Sequence, residues 1–301
     1  MICPAPLICL RASGFLDKSL RMRYIIATVF LMQTFYSFCQ DNQKENFPVL
    51  REEVKIMPER ENVWIFLMAG QSNMAGRGFV EPSDTISSHR IISLGENNIW
   101  YYAKEPLHFY EPNLTGLDCG LSFAKELLKY IPENISIGLI PCAVGGSSIQ
   151  QWNNDETYRG VTLLSNFKER LEEGKNKGII KGVLWHQGES DANSIGIPPY
   201  AKQTTKLFAA FRQMANNEKL PILVGELGSF RQPAGVQAQC DSINQVIHQT
   251  ARLDKYRFVI PTGDLGHKGD NLHFNSSAQR EMGIRFAQKY NEVVLNRAKH
   301  K

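Results

Sequence analysis

Five short, nearly uninterrupted apolar runs separated by amphipathic stretches constrain this chain more than any other feature. They are Val63-Trp64-Ile65-Phe66-Leu67-Met68, residues 135–140, residues 179–185 (broken by Lys181-Gly182), Ile222-Leu223-Val224 and Phe258-Val259-Ile260. Runs without polar alternation fit strands buried on both faces, as in a parallel sheet. Between them, residues 121–130, 200–214, 236–253 and 277–294 carry apolar side chains at helical spacing, such as Leu121, Ala124, Leu127 and Leu128. Strand alternating with helix predicts βαβ units and a doubly wound α/β sheet. Residues 77–116 give short, mixed signals, expected as an insertion with loops and an extra strand or two.

The flanks of this pattern differ from it. Arg21-Met22-Arg23 precedes an apolar stretch from Tyr24 to Met32, which runs on to Ser37-Phe38-Cys39-Gln40. Basic residues, a short apolar run and then small residues predict an export signal cleaved after Cys39. Met22 is an alternative start, and Cys39 is alternatively a site for lipid attachment. The expected organisation is residues 1–39 as signal and upstream extension, 40–61 as a polar linker, and 62–298 as one catalytic domain. The formal charge is +4, but residues 1–39 hold Arg11, Lys18, Arg21 and Arg23 against Asp17 alone, so the remainder is close to neutral. That leaves no electrostatic footprint for nucleic acid. Cys119, Cys142 and Cys240 remain after cleavage, an odd number that an oxidising compartment permits to form one disulfide. None lies in a CxxC, so no thiolate metal site is expected.

Four polar clusters each follow a predicted strand: Gly70-Gln71-Ser72-Asn73, Ala143-Val144-Gly145-Gly146-Ser147, His186-Gln187-Gly188-Glu189-Ser190-Asp191 and residues 264–273. Ligands of open α/β sheets bind beyond the carboxyl ends of the strands, so the four clusters are expected to converge on one pocket. Ser72 at a helix start is either a nucleophile or a helix cap. It does not stand in a GxSxG elbow, because Met74 occupies the second glycine position. A serine nucleophile needs a base and an orienting acceptor, and Asp270-Asn271-Leu272-His273 offers both. A second DxxH, Asp264-Leu265-Gly266-His267, competes with it. Phe274 and the capping cluster Asn275-Ser276-Ser277 favour His273, whereas His267 lies among glycines in a setting expected to be flexible. Backbone N–H groups at Gly145-Gly146 and the Gln187 amide are candidate oxyanion donors. Gln71, Asn73, Glu189 and Trp152 are candidate substrate contacts, Trp152 as a stacking platform for a sugar ring.

Taken together, Gly70-Gln71-Ser72-Asn73-Met74, Cys142-Ala143-Val144-Gly145-Gly146, Trp185-His186-Gln187-Gly188-Glu189-Ser190-Asp191 and Asp270-Asn271-Leu272-His273-Phe274 resemble the SGNH-hydrolase superfamily. Within it they resemble the sialate O-acetylesterase and acetyl xylan esterase branch, over roughly residues 60–295. The resemblance implies a three-layer α/β/α sandwich around a parallel sheet of about five strands. It implies Ser72 as nucleophile, His273 as base, Asp270 as its partner, and an oxyanion hole of the Ser72 and Gly145 N–H groups with the Gln187 side chain. Gln187 stands where the wider superfamily has Asn, in agreement with the carbohydrate-esterase branch. The implied activity is release of acetate from acetylated carbohydrate, with no metal or organic cofactor. Rival readings are a short-chain lipid or thioester hydrolase and a non-catalytic carbohydrate-binding protein on the same fold.

Overall fold

In the computed structural model, residues 46–296 are described. The expected export signal lies outside them, as does the start of the expected linker. Each apolar run forms a strand: β1 (Val63–Gly70), β4 (Ser136–Pro141), β7 (Ile179–His186), β8 (Ile222–Gly225) and β9 (Arg257–Ile260). These five pair in parallel in the order β4-β1-β7-β8-β9. The insertion supplies two more, β2 (Ile91–Leu94) and β3 (Trp100–Tyr102), which extend the sheet to seven strands beyond β4. β2 runs parallel to β4, and β3 closes the edge antiparallel to β2.

Side chains of β1 alternate between two cores, as the period of a strand requires. Val63, Ile65, Leu67 and Ala69 enter one cluster, and Phe66 and Met68 the other. The first cluster is covered by α3 (Ile149–Asn153), α4 (Leu163–Lys177), α5 (Ile197–Ala215) and α6 (Ala234–Leu253), through Trp152, Phe167, Phe211 and Ile243 among others. The second is covered by α1 (Ser72–Ala75), α2 (Gly120–Leu127) and α7 (Ser276–Tyr290), through Met74, Phe123 and Phe286. Helices on both faces of a mostly parallel sheet make the three-layer architecture. Helix α4 was not among the predicted helices. Its sequence is dominated by Lys and Glu, and Leu163, Phe167 and Leu171 form only a thin apolar stripe.

Part of the expected linker is instead packed. The Val54 N–H donates to the Trp100 carbonyl and the Tyr102 N–H to the Glu52 carbonyl, so residues 52–54 run along β3. Val54 is buried and Arg51 donates to the Lys104 and Pro106 carbonyls. A polar composition hid this segment, because an edge strand needs only backbone pairing and one inward side chain. Among the described residues, no helix is long and apolar enough to cross a membrane.

Candidate active site

β1 lies between β4 and β7, and the chain first fills the side holding β2, β3 and β4 and then adds β7, β8 and β9 on the other. Such a switch point places a crevice at the carboxyl ends of the central strands. Ser72 opens α1 immediately beyond β1, so its N–H is one of the first-turn donors without an intrahelical acceptor. The loop after β9 comes back across the sheet to reach it. His273 Nε2 is 3.0 Å from Ser72 Oγ, and His273 Nδ1 is 2.7 Å from Asp270 Oδ2. Asn271 takes a left-handed conformation (φ 54°), which turns the loop tightly enough for Asp270 and His273 to face each other. Asp270 Oδ1 also accepts the Leu272 and His273 N–H groups.

These contacts set the ionisation of the pair. Burial pulls the Asp270 carboxyl upward, but the His273 and Leu272 hydrogen bonds outweigh it and leave it below its ordinary value. Burial lowers the His273 imidazole below its ordinary value of 6.5, and Asp270 only partly opposes this. The Arg77 and Lys268 charges push it in the same downward direction as burial. A neutral imidazole bonded to a serine hydroxyl on one side and a carboxylate on the other is equipped to take a proton from that serine.

The second DxxH pair is not assembled. Asp264 forms a two-pronged ion pair with Arg285, both contacts 2.6 Å. His267 is held rather than loose: its Nδ1 accepts the Gly269 and Asn271 N–H groups and its ring lies 5.2 Å from that of Phe230. The flexible setting expected from neighbouring glycines is thus corrected. The imidazole serves as an internal acceptor that shapes the turn carrying Asp270.

The four expected substrate contacts are internal. Trp152 is fully buried, with its indole N–H on Ser147 Oγ at 2.9 Å and its ring edge-on to Trp185, so it is no platform for a sugar. Gln71 Oε1 accepts from the Gln187 amide at 3.2 Å and from the Ser190 N–H at 3.3 Å. Asn73 Nδ2 donates to Glu189 Oε1 (2.6 Å) and the Leu272 carbonyl (3.2 Å), and Asn73 Oδ1 accepts the Phe274 N–H (3.1 Å). Asn73 therefore clamps α1 to the loop that carries His273 and, through Glu189, to the loop after β7. Sequence position alone put these residues near Ser72 but could not say which way their side chains turn.

Two of the three expected oxyanion donors already have partners. The Gln187 amide is buried and donates to Asp191 Oδ2 (2.5 Å), Gln71 Oε1 and the Ser147 carbonyl. The Gly145 N–H donates to Glu111 Oε2 at 2.6 Å. Each would have to exchange an internal acceptor to serve an oxyanion. Glu111, from the insertion, was not a candidate in the sequence because no motif surrounds it. Its carboxylate also binds Arg77 Nη2 (2.8 Å) and Arg159 Nη1. Burial pushes that carboxyl up, but the Arg77, Gly145 and Arg159 contacts outweigh it and leave it below its ordinary value. A Cβ at 145 would sit 2.2 Å from Arg77 Nη2 and 2.5 Å from Glu111 Oε2, so any larger residue there must displace the ends of that ion pair.

Cys119, Cys142 and Cys240 are free thiols and buried, so the permitted disulfide is not formed among them. Burial pushes the Cys119 thiol well up and Cys142 to about 12, which makes thiolate chemistry at either position unfavourable. No cluster of three or more metal-ligating side chains occurs among the described residues.

A family model described as carbohydrate esterase, sialic acid-specific acetylesterase, matches residues 62–292. A probable carbohydrate esterase of Arabidopsis thaliana is 31% identical over 246 residues, covering 75% of this chain and 89% of the relative. An X-ray structure of a protein from the same plant superposes with a TM-score of 0.68 at 30% identity, over 77% of this chain and 98% of that one. The crystal structure of NanS superposes with a TM-score of 0.63 at 18% identity, over 82% of this chain and all of that one. A carbohydrate acetylesterase from Xanthomonas citri gives 0.58 at 20% identity, over 78% of this chain and 57% of that one. With the family model covering most of the sheet and its helices, the chain belongs to the carbohydrate esterases of the sialic acid-specific acetylesterase family and has the SGNH-hydrolase fold.

Proposed function

We propose that this carbohydrate esterase is a serine O-acetylesterase that works by two-step acyl transfer. The observation that carries the proposal is the unbroken chain Ser72 Oγ, His273, Asp270 at 3.0 Å and 2.7 Å. His273 takes the Ser72 proton as Oγ attacks the acetyl carbonyl. The oxyanion meets the Ser72 N–H at the start of α1, and the Gly145 N–H joins by exchanging Glu111 for it. Each such donor is worth about 3 kcal/mol in the transition state. The sugar alcohol leaves with the proton from His273, and water then releases acetate from the acetyl-serine by the same steps. Asp270 keeps Nδ1 protonated and stabilises the imidazolium. The export signal read from residues 21–40 supports a location outside the cytoplasm, where acetylated glycans are met; mass analysis of the native N-terminus tests this, and an intact Met22 on a cytoplasmic protein overturns it.

Aryl acetate hydrolysis, aryl octanoate hydrolysis and acetate release from acetylated xylan, pectin and sialosides test the activity. Acetate esters are expected to be cleaved in strong preference to octanoate, and Ser72→Ala to lower kcat by about 10³-fold or more. Equal or greater activity on octanoate favours the lipid or thioester hydrolase. Glycan binding without hydrolysis, unchanged by Ser72→Ala, favours the binding protein.

A further inference from the structure

With Gln71, Asn73, Trp152 and Glu189 internal, the sugar-facing side of the site falls to other residues. One is presented by a small hairpin apart from the main sheet, β5 (Thr157–Tyr158) and β6 (Val161–Thr162). Its tip is Arg159-Gly160, with φ of 50° and 81°. Positive φ at both central residues is the type I′ pattern, whose first position favours Asn, Asp or Gly. Among the described residues, the other non-glycine positions with positive φ are Asn98, Asp155, Asn216 and Asn271. Arg159 is the exception, a long side chain held where its backbone is disfavoured.

The side chain is aimed at the site. Arg159 Nη1 binds Glu111 Oε1, while Glu111 Oε2 holds the Gly145 N–H. A Cβ on Gly146 would meet the Tyr158 hydroxyl at 3.0 Å and Arg159 Nη2 at 3.7 Å, so the tip lies against the Gly145-Gly146 turn. That turn is tied to the strand that delivers Ser72, through the Val144 N–H on the Gly70 carbonyl. Arg77 already pairs with Glu111 from a buried position, whereas the Arg159 side chain is 41% exposed. Glu111 thus has a buried cation besides Arg159, whose guanidinium spans Glu111 and Tyr158 beside the turn while its side chain stays partly open to solvent.

We propose that Arg159 is a specificity-determining residue that donates hydrogen bonds to oxygens of the sugar carrying the scissile ester. A guanidinium presents several N–H donors in a fixed plane, which suits a ring crowded with oxygen acceptors. The turn tolerates an unfavourable backbone because that donor is needed at this point. The proposal rests on the esterase reading and goes beyond it in naming how the sugar is told from a simple acetate ester.

The test is Arg159→Asn, which installs a residue the turn prefers, compared with wild type and with Arg159→Lys. Unfolding temperature is measured together with kcat and KM on an aryl acetate and on whichever glycan of the xylan, pectin and sialoside panel the wild type cleaves fastest. The expected result is an unfolding temperature equal to or above wild type and a fall in glycan kcat/KM at least tenfold larger than the fall for aryl acetate, expressed mainly in KM. Arg159→Lys should recover part of the glycan loss. A lower unfolding temperature with equal losses on both esters, or no selective loss, overturns the proposal and makes Arg159 a structural residue. Wild-type cleavage of aryl acetate with no glycan cleaved also overturns it while leaving the esterase reading intact. Activity that survives Ser72→Ala overturns the esterase reading, and this proposal with it.

Discussion

Replacing Asn73 with alanine separates a residue that holds the site from one that touches substrate. The side chain makes three hydrogen bonds, to Glu189 Oε1, the Leu272 carbonyl and the Phe274 N–H. All three join α1 to the loop bearing His273 or to the loop after β7. Truncation leaves the Phe274 N–H without its acceptor beside a fully buried ring, and Glu189 without its amide donor. Each buried polar group left unsatisfied costs about 1–3 kcal/mol, so these two together amount to about 2–6 kcal/mol. The Leu272 carbonyl belongs to a half-buried residue and can turn to water, so it adds little. Loss of the clamp also frees His273 relative to Ser72, and misplacement by about 1 Å costs about 10²-fold in rate. Urea unfolding of Asn73→Ala is expected to show the stability loss, and aryl acetate hydrolysis a drop carried mainly by kcat. A variant within about 1 kcal/mol of wild type that raises KM alone would refute the clamp and restore Asn73 as a substrate contact.

Three further outcomes follow from the same geometry. His273→Ala should lower kcat by about 10³-fold or more, whereas His267→Ala, which removes only an acceptor for two loop N–H groups, should lose about tenfold at most; the reverse ranking rejects the assignment of the base. Because burial, Arg77 and Lys268 depress the His273 imidazole, its neutral form persists below the ordinary value of 6.5, so kcat/KM measured against pH should hold at neutrality and fall only as pH drops below that value; a limb above it contradicts the electrostatics. Trp152→Ala should destabilise by about 3–5 kcal/mol through a core cavity, read by denaturant unfolding, and a stable variant with only a raised KM would return Trp152 to the substrate.

Much of the fold was legible because buried parallel strands leave a plain mark. Residues 63–68 and 135–140 are apolar on both faces since helices cover both sides of the sheet, and their shortness and regular alternation with helical stretches separate them from buried helices. Helix ends were legible within a few residues from apolar spacing and from caps such as Asn275, whose side chain accepts the Ala278 N–H. The faintly striped α4 and the packed segment at Val54 were not, because a surface helix and an edge strand need few apolar residues.

The sequence by itself determined the main alternation of strands and helices, the class of the sheet, and the pairing of Asp270 with His273 three residues on, because each depends on local pattern and short spacing; the meeting of that pair with Ser72, 201 residues away, came only as what the family resemblance implies. Tertiary structure alone decided which polar residue near Ser72 faces inward and which faces the cleft. Gln71, Asn73, Gln187 and Glu189 stand beside the nucleophile in sequence or in the sheet, yet their polar atoms are directed into one another across loops 116 or more residues apart. Direction of a side chain across such a gap is set by the packing of the loops it joins, and no spacing rule carries it. The same holds for Glu111, Arg77 and Arg159. They come from three segments without a shared motif, and only folding brings their charges together beside Gly145.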